Sequence, residues 1–171
     1  MSTITVLIVC FLFTSAHSVS FETSRRLFND LTENDTKYIR PVLNQSHAVD
    51  VHVSVRAYNL KMFDVTLGKF SLLSSFLFDW KDEYKKWDPR KYDGLRKIHL
   101  PKSNVWVPNI LIENSADLTA ILTNDNSHFE LEVMNDGRIS MSVPAVFEVL
   151  CEPNIQKYPF DEHECAIVFT N

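Results

Sequence analysis

Glycine is scarce: Gly68, Gly94 and Gly137 stand far apart in 171 residues. That spacing leaves no glycine-rich loop to cradle a phosphate, and neither a Gly-x-Ser-x-Gly elbow nor a His-Glu-x-x-His pair occurs, so no residues support an enzyme. Basic charge is also short. Seventeen Lys and Arg against 22 Asp and Glu give a net charge of −5, and only residues 81–97 are locally basic. A nucleic-acid partner, which needs clustered cations facing phosphates, is excluded. Long apolar runs are missing too: residues 4–13 hold ten, half of the ~20 that a membrane helix requires. The next most apolar stretch, residues 70–78, carries three serines.

What is present is material for a core. Hydrophobic residues make up 45% of the chain and aromatics 12%, enough for one globular domain and too much for disorder. The apolar run at 4–13 is followed by Thr14, Ser15 and a small-x-small site, Ala16-His17-Ser18. This reads as a secretory signal over residues 1–18, although no Lys or Arg precedes the run. The expected mature chain, 19–171, is a secreted or lumenal product with no anchor of its own.

Export changes the cysteine count. Cys10 leaves with the signal, and Cys151 and Cys165 remain in an oxidising compartment where paired thiols become a disulfide. A ring of 15 residues is worth ~3 kcal/mol by chain entropy. Asn34-Asp35-Thr36 and Asn44-Gln45-Ser46 are N-glycosylation sequons in a polar stretch, making Asn34 and Asn44 the glycan candidates. Asp161-x-His163-x-Cys165 would place three ligand types on one strand face, but a disulfide consumes the thiol. No metal or cofactor is expected, and His128 and His163 read as surface or cross-strand polar residues.

The mature chain begins with a short helix. Thr23 or Ser24 can cap it, and Leu27, Phe28 and Leu31 share a face. Strands follow. Val49, Val51, Val53 and Val55 alternate with Asp50, His52, Ser54 and Arg56, the period of a half-buried strand. Further strands are expected at 67–78, 98–100, 105–107, 118–122, 129–133 and 139–143. Asn135-Asp136-Gly137 between the last two is a hairpin signal. The pattern predicts an all-β, immunoglobulin-like β-sandwich with one short N-terminal helix.

Cys151 to Cys165 reads CEPNIQKYPFDEHEC, with Tyr158-Pro159-Phe160-Asp161 just before the second cysteine. An aromatic-Pro bond favours a cis turn, the Tyr and Phe can bury part of the loop, and Asp161 is left as a charged contact. The segment resembles the signature loop of the Cys-loop pentameric ligand-gated ion channels; the alternative is a stapled hairpin of another secreted sandwich. Trp80-x-Asp82, Trp87-Asp88-Pro89 and Tyr92-x-Gly94 resemble the family's W-x-D-x-x-L-x-W-x-P-x-x-Y-x-G stretch, with Lys85 where Leu is usual. Trp106-Val107-Pro108-Asn109-Ile110 and Asn114-Ser115-Ala116-Asp117 resemble its W-x-P-D-I and N-x-A-D stretches. Arg26-Leu27-Phe28, Leu31 and Arg40-Pro41-Val42 are similar to the first helix and strand of nicotinic acetylcholine receptor subunits.

The resemblance implies five sandwiches in a ring, with a small neurotransmitter between neighbouring subunits in an aromatic box that holds its ammonium by cation-π attraction. Other Cys-loop receptor subunits and that transmitter are the implied partners. Tyr158, Pro159, Phe160 and Asp161 would couple the domain to the pore, or form a rigid turn that only closes the sandwich. Two box positions depart from the pattern. The principal-face aromatic falls on Glu113, a carboxylate that could attract a cation or simply be solvated. The complementary-face tryptophan falls on Ser75, with Phe76 a substitute if a bulge shifts the strand.

By the same resemblance, the sandwich is incomplete at Asn171, its last strands and four membrane helices lying beyond. The implied function is the N-terminal extracellular ligand-binding part of a nicotinic-like channel subunit, on the outer side of a synaptic or other excitable membrane. The alternative is a secreted, truncated ectodomain that binds ligand or modulates subunit assembly.

Overall fold

Helix formation starts at Ser20, whose extended backbone and hydroxyl satisfy the first turn of α1 (Phe21–Thr32); its Oγ accepts the Thr23 N–H at 3.1 Å. The cap thus lies upstream of Thr23 and Ser24, the residues the sequence suggested. Thr23 is inside the helix and buried, and its hydroxyl donates to Asp93 at 2.5 Å instead. Thr23, Leu27 and Leu31 recur every four residues and form the buried stripe, while Phe28 is half-buried beside it. These and all later positions come from a computed structural model that describes residues 19–33, 37–116 and 130–170. The predicted signal, Asn34, the strand at 118–122, His128 and Asn171 lie outside the described residues.

Strand β1 (Val51–Asp64) pairs antiparallel with β2 (Lys69–Lys81), and β2 with β6 (Arg138–Leu150). On the other side β6 meets β5 (Glu130–Met134), which pairs with β3 (Lys97–Pro101), giving a five-stranded sheet of order β1-β2-β6-β5-β3. A second sheet joins β4 (Leu111–Ile112) to β7 (Phe169–Thr170). The molecule is therefore an all-β, immunoglobulin-like sandwich with one short helix near its N-terminus. Among the described residues its second layer has two strands, and a cleft of about 660 Å³ opens beside them between Val51, Val53, Trp106, Ile110 and Phe169.

Several strands outrun their sequence signals. β1 continues well past the valine alternation because β2 pairs with it throughout, across two register shifts between Ala57 and Asn59 and between Leu60 and Met62. Its own burial is poor, since it is an edge strand: Val51 and Val53 pack against the core, but Val55 is 41% exposed. β6 runs through Pro144, where the sequence suggested a stop. Its pairing with β5 reaches only Ser140 and Ile139, so a residue without an N–H costs no ladder bond on that side. The expected strand at 105–107 is absent; Lys102–Asn104 form a 3-10 turn and Val105 is buried after it. The hairpin turn is where the motif put it, with Gly137 at φ +88 and its N–H on the Met134 carbonyl at 2.9 Å.

Burial explains the packing. Phe76, Phe78, Leu100, Leu131, Val133, Ile139 and Val149 are fully buried. Phe76 bridges the layers, its ring 5.2 Å from Phe147 in the first sheet and 5.7 Å from Phe169 in the second.

Candidate functional site

The disulfide loop leaves the end of β6 and returns to β7. Cys151 and Cys165 are bonded, with Cα atoms 5.2 Å apart, as the cysteine count required. Gly68, in the turn between β1 and β2 at φ +60, accepts the Cys151 N–H on its carbonyl, and an added Cβ would lie 2.9 Å from the Cys151 oxygen. Glycine is needed there so that the hairpin tip can press against the start of the loop.

Inside the loop the Tyr158-Pro159 peptide is cis, as the aromatic-Pro pair suggested. The side chains behave otherwise than expected. Tyr158 is 82% and Phe160 84% exposed, so neither ring buries the loop. Asp161 is half-buried and accepts the Lys157 N–H at 3.1 Å, closing the turn locally. His163 is half-buried: its ring lies 4.6 Å from Phe63 on β1, and its Nδ1 accepts the Asn154 N–H at 3.2 Å. From Asp161 to Thr170 inward and outward residues alternate, which places Cys165, Ile167 and Phe169 on one face.

Glu113 follows β4 and is exposed; its N–H donates to the Val168 carbonyl at 2.8 Å. Its neighbour Asn114 knits three segments together. The amide donates to Leu150 at 3.2 Å and Ala166 at 2.9 Å and accepts from the Val168 N–H at 3.0 Å. The Asn114-Ser115-Ala116 motif is thus a structural clasp that holds Glu113 at the surface.

Ser75 lies in the middle of β2 on the face opposite Phe76, Phe78 and Trp80. It is 4% exposed and its Oγ is 2.8 Å from the Ser142 hydroxyl on β6. Phe76 cannot replace it: the β2–β6 pairing is continuous from Lys69 to Lys81, and Phe76 points into the core. The residue opposite Ser75 on β1 is Arg56, which is exposed. Sequence reasoning noted Arg56 only as the outward phase of an alternating strand, because pairing it with Ser75 requires the register. Glu113, just after β4 of the second sheet, and Ser75 on β2 of the first share no hydrogen bond among the described residues.

The tryptophan-rich stretch is an anchor for α1. Asp82, 1% exposed, accepts the Tyr84 N–H at 2.8 Å, and burial raises its carboxyl above the ordinary range although Tyr84, Lys85 and Lys86 oppose the rise. Lys85, 3% exposed, donates its ammonium to the Leu31 carbonyl at the end of α1, where a cation meets the negative end of the helix dipole. The Trp87 indole donates to Leu95 at 2.7 Å and the Tyr92 hydroxyl to Asp30 at 2.7 Å.

Among the described residues no helix is long and apolar enough to cross a membrane. Residues 24–171 match the model of the neurotransmitter-gated ion-channel ligand binding domain. The chain is 32% identical over 160 residues to the acetylcholine receptor subunit alpha-1-B of Xenopus laevis, covering 93% of this chain and 34% of that protein. It is 31% identical over 155 residues to the acetylcholine receptor subunit alpha-like of Manduca sexta, covering 85% and 28%. To the acetylcholine receptor subunit alpha-type acr-16 of Caenorhabditis briggsae it is 31% identical over 166 residues, covering 96% and 32%. The chain spans about a third of the length of these relatives, which are receptor subunits and not enzymes. An all-β sandwich, a 151–165 disulfide loop and this match together make the chain a member of the neurotransmitter-gated ion-channel ligand-binding domain family.

Proposed function

We propose that the chain is the N-terminal extracellular part of a nicotinic-like channel subunit, contributing a ligand-sensing face, contacts with other receptor subunits and the coupling turn of the assembled receptor. The observation that carries this reading is the disulfide loop. Tyr158 and Phe160 stand in water at its tip, and a turn that only closed the sandwich would bury them. Tyr158, Pro159, Phe160 and Asp161 form the coupling surface, while Glu113 and the Ser75 region belong to the principal and complementary faces. The Asn44 sequon is exposed in the loop before β1, its side-chain oxygen accepting the Ser46 N–H at 3.0 Å, and is a glycan site of an exported chain.

The test is co-expression with a nicotinic alpha subunit in a secretory cell, followed by native electrophoresis and co-purification. The chain is expected to travel in a multi-subunit species, with association unchanged but coupling to current reduced when Tyr158 and Phe160 are both replaced by alanine. A chain that stays monomeric and copurifies with no subunit defeats the reading. Release of the chain to the medium as a free ligand-binding species would support the secreted alternative instead.

A further inference from the structure

Three cross-links close the disulfide loop, one inside another. The Cys151–Cys165 bond is outermost, the Asn154 N–H on His163 Nδ1 at 3.2 Å lies within it, and the Lys157 N–H on Asp161 at 3.1 Å is innermost. The first is covalent and the third is made by a carboxylate, but the middle one depends on an imidazole. An N–H can donate to Nδ1 only where that nitrogen carries a lone pair, so the ring is neutral in this arrangement, with its proton on Nε2. The same ring lies 4.6 Å from that of Phe63 on β1, which meets Phe70 on β2 edge-on at 6.5 Å. His163 therefore ties the outgoing arm of the loop to the returning arm, and the loop to the sheet.

Protonation acts on these two contacts in opposite directions. Nδ1 of an imidazolium carries a hydrogen, so it would face the Asn154 N–H donor to donor, and that cross-link is lost. The contact with Phe63 gains instead, because a cation is attracted to an aromatic ring. The segments around His163 carry Glu152 and Lys157 on the outgoing arm and Asp161, Glu162 and Glu164 on its own arm. Lys61 and Asp64 flank Phe63 on β1, with Lys69 opposite Asp64 on β2. None of them pairs with His163 among the described residues: Asp161 accepts the Lys157 N–H, and Asp64 accepts from Thr66 and Leu67 at 2.9 Å. With five acids against three bases, a positive charge on the ring meets no net repulsion. Histidine is also the side chain that ordinarily changes charge between about pH 5 and 8. We propose that His163 is a proton-operated latch of the disulfide loop: once protonated, it frees the outgoing arm from Asn154 to Lys157 and keeps the returning arm on β1. Acidification then alters how the tip presents Tyr158 and Phe160. The latch goes beyond the coupling role proposed above, and its geometry does not depend on that role.

The test is an NMR titration of the ¹⁵N-labelled full chain between about pH 8 and 5. The Asn154 amide proton is expected to move in one step that coincides with titration of the His163 ring signals, while the amide of fully buried Val149 stays in place and reports an intact fold. H163N supplies an acceptor oxygen near the position of Nδ1 without titrating, so the Asn154 step should vanish. H163F keeps a ring against Phe63 but no acceptor, and its Asn154 signal should sit near the acid position at every pH. Trypsin cleavage after Lys157 is a second readout. Divided by the H163N rate at the same pH, it should rise about fivefold on acidification, the worth of one net hydrogen bond. An Asn154 step that persists in H163N, an unchanged cleavage ratio, or a His163 ring that titrates without moving Asn154 would overturn the proposal. So would a ring that does not titrate in this range. A clear His163 step in a chain that associates with no receptor subunit would support the latch while defeating the functional reading above.

Discussion

The centre of the β2–β6 pair and the disulfide loop are held by different forces. In the first, Phe76, Phe78, Ile139 and Val149 are fully buried, and thirteen consecutive residues of β2 find partners on β6 without a shift. In the second, no ring is buried within the turn; a covalent bond, a glycine contact and hydrogen bonds from Lys157 and Asn154 hold the shape. The sheet is specified by what water excludes, so its conformation cannot change without exposing aromatic surface. The loop is specified by its ends, so its tip can carry exposed rings without cost to the core. That division suits a domain whose body must be rigid and whose loop must touch something else.

Phe76→Ala attacks the first region where it is strongest. The ring joins both sheets through Phe147 and Phe169, and its loss should cost about 3–5 kcal/mol. Urea denaturation is expected to show a much lower midpoint or no cooperative transition at all; a small shift would mean that the layers are joined elsewhere. Cys165→Ser attacks the second region. Opening a 15-residue ring should cost about 3 kcal/mol, and limited proteolysis should cut first between 151 and 165 while β2 and β6 stay protected. Protection lost equally in sheet and loop would dissolve the distinction between the two regions.

Gly137→Ala tests a point that belongs to the sheet but is decided by a turn. An added Cβ would sit 2.3 Å from the Asp82 carbonyl oxygen at a backbone φ of +88, so both strain and collision follow. A loss of about 1–3 kcal/mol is expected, read as a lower melting temperature with the disulfide loop's protease pattern unchanged.

The legible parts of the fold were those encoded over short distances. The Asn135-Asp136-Gly137 turn, the alternation of β6 and the Cys151–Cys165 pair each depend on neighbouring residues or a simple count. Register was not legible. Which β1 residue faces Ser75 depends on two bulges and on the whole length of the β1–β2 ladder, so Arg56 could not be assigned to that spot from sequence. The exposure of Tyr158 and Phe160 was hidden for a related reason. Aromatic residues in a loop predict burial on average, and only the finished fold shows that nothing packs over them. Lys85 stood out as a departure from the family's leucine, but its partner, the carbonyl of Leu31 at the end of α1, is 54 residues away.

The smallest effect expected is a pH dependence that again separates body from surface. Burial lifts the Asp82 carboxyl in the folded state above the ordinary carboxylate range, so the folded chain holds a proton that the unfolded chain has released. Stability from this group is then full below the unfolded value and falls as pH rises towards the raised folded one. Glu132, paired with Lys97 at 2.9 Å, and Asp136, bonded to Arg138 at 2.9 Å, are shifted the other way; their contributions exist above the unfolded values and are lost as pH falls. Both of these pairs are near the surface and weakened by solvent. Asp82→Asn keeps an oxygen to accept the Tyr84 N–H but removes the proton. Urea midpoints measured in steps upward from pH 4 should decline in the native chain and flatten in this variant, the acid-side loss from Glu132 and Asp136 remaining in both. Parallel pH profiles would mean that Asp82 is ionised in the fold at the same pH as in the unfolded chain, and that water reaches its carboxyl despite its burial.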